Sequence, residues 1–423
     1  MSPGGKQVKN KNRMIPVTIL IIAGVLLIYI NEMAVSPVLS QVRSNYGIGN
    51  EALLNLSSTI KYPPIILFSL LGASSRRLRT GHLFTLSMLL YTAGMVLCLF
   101  ASDYWALLAA RALYGAGYGF EIPFIGNAIA EWYDGRARER MNTLNGLFPL
   151  IGSMICFACM VPLYHLMSDN LRYTFAVFAL PGIAVLVFWF CFGQNESRNG
   201  KTASATEVRG KGYQKEVLKN RNILLLCLAF VCDFFCCSHI FTVVPDILDR
   251  AFSTGAEMAG IISAFLLPAV GVVGGIVGGR MSTKFGLRRP PMLTGQVLKF
   301  VGMILMTAGL WFGFPFMIAG TALFGLGNSI WMPAMYMSAT ENVEADPAKT
   351  GFAFSFILSS GFVAGFLSPV IGGALTDLFM KNGMPFANAS GVCILLFSIA
   401  NLISYFLIRF VRETGPGKER SRQ

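Results

Sequence analysis

The sequence predicts an all-α membrane protein, with twelve transmembrane helices in two pseudo-symmetric six-helix bundles. Three observations predict it. The first is composition: 54% of the 423 residues are hydrophobic, 13% are charged, and the mean hydropathy is +0.59. A soluble domain carries about 25% charged residues, so this chain could not cover a soluble surface of its size. The second is run length. A spanning helix needs about 20 apolar residues. Twelve such runs can be placed, at 14–41, 51–72, 83–102, 105–131, 142–165, 172–193, 222–244, 256–279, 291–312, 315–339, 350–376 and 389–410. They are continuously apolar, without the alternation of a barrel strand. The third is an internal repeat. ALYGAGYGFEIP at 112–123 and ALFGLGNSIWMP at 322–333 share Ala, Leu, an aromatic, two Gly and Pro in register, 210 residues apart. Pro37 pairs with Pro245, Glu51 with Glu257, and Pro149 and Gly152 with Pro369 and Gly372, in the same order. Such self-similarity marks a duplicated unit.

The elements then follow in order. Met1–Asn12 is polar and basic, and the first apolar run is too long for a secretory leader, so it reads as a retained first helix. Residues 1–193 make the first bundle. Gln194–Arg221, rich in Gly, Ser, Lys and Arg, is the basic linker. Residues 222–423 make the second bundle. Charge placement sets the orientation. Of 34 Lys and Arg, 27 lie at the termini and in the connections on their side. Four lie on the opposite side: Arg43, Arg172, Arg250 and Lys381. Positive charge stays cytoplasmic, so both termini and the linker are expected in the cytoplasm, and the membrane is the cytoplasmic one. The net charge of +13 thus reflects topology, not a nucleic-acid partner. All nine cysteines fall within spans, which implies no disulfide framework. The loops leave no room for a nucleotide-binding domain, and no phosphate-binding loop appears.

Arg111 in RALYGAGYG and Gly279, Lys284, Gly286 and Arg288 in GGRMSTKFGLRRP complete a pattern. Gly72 and the basic cluster with Arg77 in LGASSRRLRTG form its first-half counterpart. With twelve spans and a basic central loop, the chain resembles the major facilitator superfamily. Arg76 and Thr283 stand where that family carries an acidic residue. The resemblance implies a transporter, not an enzyme, whose halves rock about a midplane site. It also implies that helices 1, 4 and 7 line the cavity.

A charge at the bilayer centre costs about 2.5–3.5 kcal/mol, so intramembrane charges are the candidate site. Glu32, Lys61 and Arg111 fall in one depth band, which predicts a Glu32–Arg111 ion pair. Lys61 and Arg111 are the candidates for an anionic substrate group, with Trp331 as a stacking partner. Glu32, Glu121 and Asp233 are the candidates for proton coupling. Glu121 has Trp331 as its repeat counterpart. Lys299 reads as snorkelling or structurally paired, and Cys232, Cys236, Cys237 and His239 as packing instead of a metal site. Trp105, Trp132 and Trp189 suit an interfacial belt. The expected function is secondary active transport of a small organic, anionic solute, coupled to protons or sodium. Proton-driven export of lipophilic cations is the alternative, and a non-transporting sensor is a third. No cofactor is expected, and the expected state is a monomer in the bilayer.

Overall fold

The computed structural model describes residues 11–74, 78–133, 135–193, 213–343 and 347–418. Arg77 and residues 194–212 of the linker lie outside the described residues. Among those described, every regular element is helical. The first half comprises α1 (Lys11–Glu32), α2 (Leu39–Tyr46), α3 (Glu51–Thr59), α4 (Tyr62–Ser74), α5 (Thr80–Leu97), α6 (Tyr104–Trp132), α7 (Gly135–Leu166), α8 (Leu171–Ala176) and α9 (Ala179–Phe188). After α10 (Tyr213–Lys219), the second half comprises α11 (Arg221–Phe252), α12 (Ala256–Ala264), α13 (Val270–Phe285), α14 (Arg289–Phe312), α15 (Phe314–Glu341), α16 (Pro347–Lys381) and α17 (Phe386–Phe410).

Among the described residues, ten helices are long and apolar enough to cross a membrane. The other two expected spans are occupied by α3 with α4 and by α6. These two contain Lys61, Arg111 and Glu121, the charges that lower their apolar character. The surface is apolar where a soluble protein would be polar: Phe188, Ile399, Ile403 and Phe406 are all exposed. Such an apolar surface needs lipid around it.

Proline decides where the first two spans break. Pro37 has no N–H to give the carbonyl four residues back, so α1 stops at Glu32. A 3-10 turn over Ser36–Val38 follows, and α2 resumes at Leu39. In the second span Pro63 and Pro64 end α3 at Thr59, and α4 restarts at Tyr62 with prolines in its first turn. Lys61 sits in that break. Its repeat counterpart in the second half is a π-helical segment, Phe265–Ala269, around Pro268.

Gly115 explains how the halves of this motif fit together. A Cβ there would lie 2.8 Å from the Lys61 Cα, so α6 crosses the broken span at backbone contact. Buried apolar clusters fill both halves, and two of them cross between halves, Phe362 joining a first-half cluster and Phe157 a second-half one. The halves meet along two seams, α3 and α4 against α16 and α7 against α12. On the first seam Asn55 Nδ2 donates to the Pro369 carbonyl at 2.9 Å.

Candidate functional site

Ending α1 at Glu32 leaves its last carbonyls without helical partners. Two cations fill that role. Arg111 Nη2 on α6 donates to the Asn31 carbonyl at 2.8 Å, and Lys61 Nζ donates to the Glu32 carbonyl. A helix C-terminus carries partial negative charge, which favours cations there. The expected Glu32–Arg111 ion pair is therefore absent among the described residues: the guanidinium turns to the main chain of α1 instead. Arg111 Nε and Nη1 are buried with no hydrogen-bond partner. Arg111 also lies 4.7 Å from the Tyr114 ring centroid, and Lys61 Nζ 5.0 Å from that of Tyr62. Both cations are fully buried.

Arg111, Tyr114, Tyr118 and Glu121 are spaced three and four apart and share one face of α6. That face meets α1. Tyr114 Oη donates to the Ile28 carbonyl at 2.7 Å, and Tyr118 Oη to Glu32 Oε2 at 3.5 Å. Glu121 is fully buried, and neither of its oxygens has a partner. Beside Lys61 and Glu32 the seam is aromatic. Tyr62 stacks on Phe362 of α16 at 5.5 Å and meets Phe234 of α11 edge-on at 6.1 Å. Tyr118 meets Phe362 at 6.3 Å and Tyr29 at 5.4 Å. Charges from the first half and rings from both halves thus converge at the seam.

The second half is built differently. Asp233 Oδ1 accepts from Lys299 Nζ at 2.6 Å and from Gln296 Nε2 at 2.8 Å. Lys299 also donates to Asn328 Oδ1 at 3.1 Å, and Asn401 Nδ2 to Gln296 Oε1 at 2.5 Å. Lys299 is fully buried in this network, so it pairs and does not snorkel. Trp331 is buried in the second-half core, 6.0 Å from Phe230, and is not beside Lys61 and Arg111. Trp189, expected at the interface, is also buried and donates from Nε1 to Thr85 Oγ1 at 3.1 Å. The ring sits on Phe84 of α5, so burial won over the interfacial position.

The loop motif between α13 and α14 is ordered by charges from elsewhere. Gly286 adopts φ 63° and ends α13 in the left-handed conformation. Arg288 Nη2 donates to Glu341 Oε1 at 2.6 Å, and its Nη1 to Ser282 Oγ at 2.8 Å. Glu413, just past α17, accepts the backbone N–H groups of Arg288 and Arg289 at 2.7 and 2.9 Å. Glu341 and Glu413 thus provide the negative charge that Thr283 lacks. Lys284 is exposed, and Gly279 has open space at its Cβ position. Gly72, on the first-half side, lies against Pro123 and Phe120 of α6.

At the face opposite the termini stands a cluster that the sequence patterns did not single out: Arg43, Glu51, Asp246 and Arg250. The one sequence signal was that Arg43 and Arg250 belong to the few basic residues on that side.

The sequence matches the profile of the Major Facilitator Superfamily over residues 21–267 and 226–423. A search of curated protein sequences finds no match. Among solved structures, a bacterial homologue of the human lysosomal transporter Spinster, inward-facing and unoccupied, superposes with a TM-score of 0.76. Identity is 15%, and the alignment covers 96% of this chain and 98% of that one. A D-xylose–proton symporter gives 0.73 at 13% identity, covering 95% and 98%. The xylose transporter XylE from E. coli, partially occluded and inward open, gives 0.70 at 14% identity, covering 96% and 99%. At such identities the structural likeness speaks for the fold alone. The profile, the all-helical membrane architecture and the intramembrane charges at the seam agree: the chain belongs to the major facilitator superfamily of secondary transporters.

Proposed function

We propose that the protein carries a small organic anion across the cytoplasmic membrane together with a proton, as a monomer with cytoplasmic termini, linker and loop motifs. The halves at 1–193 and 222–423 alternate access about the seam. In this reading Lys61 and Arg111 hold the anionic group, and the rings at the seam hold the organic part. Glu32 and Glu121 exchange the proton. Asp233 acts through Lys299 as a brace, and Trp331 supports the second-half wall from behind.

The observation that carries the reading is the state of the two cations. Both are buried, and among the described residues each donates to a main-chain carbonyl of α1 and not to a carboxylate. Arg111 keeps two donors unpaired. An unpaired buried donor costs about 1–3 kcal/mol, which an incoming carboxylate would recover. Glu121, a lone carboxylate without partners, favours the second reading, export of a lipophilic cation.

Binding to the purified protein separates the two. Lys61→Gln should weaken binding of carboxylate ligands about tenfold to a hundredfold, read as a smaller thermal stabilisation, because one charge-assisted contact contributes about 1.5–3 kcal/mol. Lys61→Glu should be worse. Stabilisation by cations alone, undiminished in Lys61→Gln and lost in Glu121→Gln, would replace anion uptake with cation export.

A further inference from the structure

Four charged side chains close the face opposite the termini, two from each half. Arg43 follows α1 on α2, and Glu51 opens α3. Asp246 and Arg250 are one turn apart on α11. Arg43 and Arg250 lie 207 residues apart, within one position of the 208 that separates Pro37 from Pro245. Their contacts form a ring. Arg43 Nη2 lies 2.8 Å from Glu51 Oε2 and 3.2 Å from Asp246 Oδ2. Arg250 Nη1 lies 2.8 Å from Glu51 Oε1 and 3.1 Å from Asp246 Oδ2. Each arginine therefore holds both acids, and each acid holds both arginines.

Two sides of this ring lie within a half, Arg43–Glu51 and Arg250–Asp246. The other two cross between halves, Arg43–Asp246 and Arg250–Glu51. We propose that the ring is the gate of this face, and that it opens by parting only its two cross-half sides. Each half then leaves as a neutral pair. No carboxylate or guanidinium of the ring itself is stranded, which is the event that makes breaking a buried ion pair costly. The arginines are about a quarter exposed, at 23% and 27%, while the acids are at 8% and 3%. Water thus reaches the moving cations first and screens the parting. A clasp of single cross-half pairs would lack this property.

Other cross-half contacts stand beside the ring without sharing its design. Asp377 of α16 accepts the backbone N–H groups of Glu51 at 2.9 Å and Ala52 at 3.3 Å. These donors have no replacement within their own half when the faces part, apart from water. Arg250 also lies 3.5 Å from the Phe386 ring centroid, a contact inside the second half that stays with it. The gate touches no part of the candidate substrate site. It therefore sets how often this face opens, and does so for any substrate.

The experiment exchanges charges within a half. Arg43→Glu with Glu51→Arg keeps the first-half pair but sets a carboxylate against Asp246 and a guanidinium against Arg250. Adding Arg250→Asp with Asp246→Arg restores attraction on all four sides. The reporter is Phe362→Cys at the aromatic seam, read by a membrane-impermeant thiol reagent. The reagent is applied from the side on which a Lys381→Cys reporter labels, so the outcome does not depend on the assigned topology or substrate. The protein without the reporter supplies the background rate. The one-half exchange should insert at normal levels and label at least about threefold to tenfold faster, as expected for a two-state equilibrium shifted by lost attraction and added repulsion. The exchange in both halves should return the rate toward that of the parent. Arg250→Gln should accelerate labelling by less. An unchanged rate in the one-half exchange, or no return in the fourfold variant, would overturn the gate. Loss of folded protein in the one-half exchange would overturn the claim that each half carries a self-sufficient pair.

Discussion

Asp233 and Glu121 are both carboxylates buried deep in a helix, and they are kept in opposite ways. Asp233 accepts from Lys299 and Gln296, so its charge is answered within the second half. Glu121 is answered by nothing among the described side chains. Removing one member of a buried pair strands the other and costs about 3–5 kcal/mol. Asp233→Asn should therefore lower the thermal stability of the purified protein strongly, and Lys299→Met in the same chain should recover most of the loss. Glu121→Gln should leave stability unchanged or raised while removing proton-driven accumulation. Thermal unfolding of the three variants checks the first part, and uptake driven by a pH gradient the second. Equal stability losses for Asp233→Asn and Glu121→Gln would mean that Glu121 has a structural partner.

At the scale of elements, the breaks in the first two spans create the site. Pro37 ends α1 where Arg111 and Lys61 can reach its last carbonyls, and Pro63 with Pro64 place Lys61 in a gap in the second span. α6 can reach that gap only because residue 115 is glycine. Gly115→Ala would put a methyl group 2.8 Å from the Lys61 Cα, against backbone that cannot swing aside. Overpacking of this kind costs about 1–3 kcal/mol, so reduced stability and lost transport are expected together. Gly279→Ala is the control, because its Cβ would meet nothing within 4 Å although the residue belongs to the loop motif. Its thermal stability should stay at the parent value. A neutral Gly115→Ala would show that α6 can move away from the break.

For the whole molecule, the proposed topology puts the termini and the Gln194–Arg221 linker in the cytoplasm. An engineered cysteine at Gly200 should resist an impermeant reagent added to intact cells, while one at Lys381 should react. Labelling at Gly200 from outside would reverse the assignment. The seam also gives the molecule its asymmetry. Fixed, internally paired charge braces the second half, and in the first half Lys61 and Arg111, among the described residues, hydrogen-bond only to main chain. A rocking motion can then change the surroundings of the first-half charges while the second half keeps its network.

Much of the architecture was legible from residue types alone, because lipid imposes a simple rule. Backbone polar groups must be satisfied within a segment, so apolar length alone reveals helices. Ten of the expected spans followed from that rule, and the family from RALYGAGYG with the loop motif GGRMSTKFGLRRP. The burial of Glu32, Lys61, Arg111 and Glu121 was legible too, since a charge inside an apolar run has nowhere else to go. Partner choice was not. Equal depth suggested that Arg111 meets Glu32, but depth leaves open rotation about the helix axis and the loose carbonyls after Glu32. Lys299 read as either snorkelling or paired, and only the way α14 turns it onto Asp233 decided for the pair. The ring of Arg43, Glu51, Asp246 and Arg250 draws on residues up to 207 positions apart, each ordinary in its own segment. The sequence by itself determined which segments enter the membrane and which charges go with them, because transfer free energy is a property of a segment. Only the tertiary structure decided which charge meets which, because that depends on how helices far apart in the chain turn toward one another.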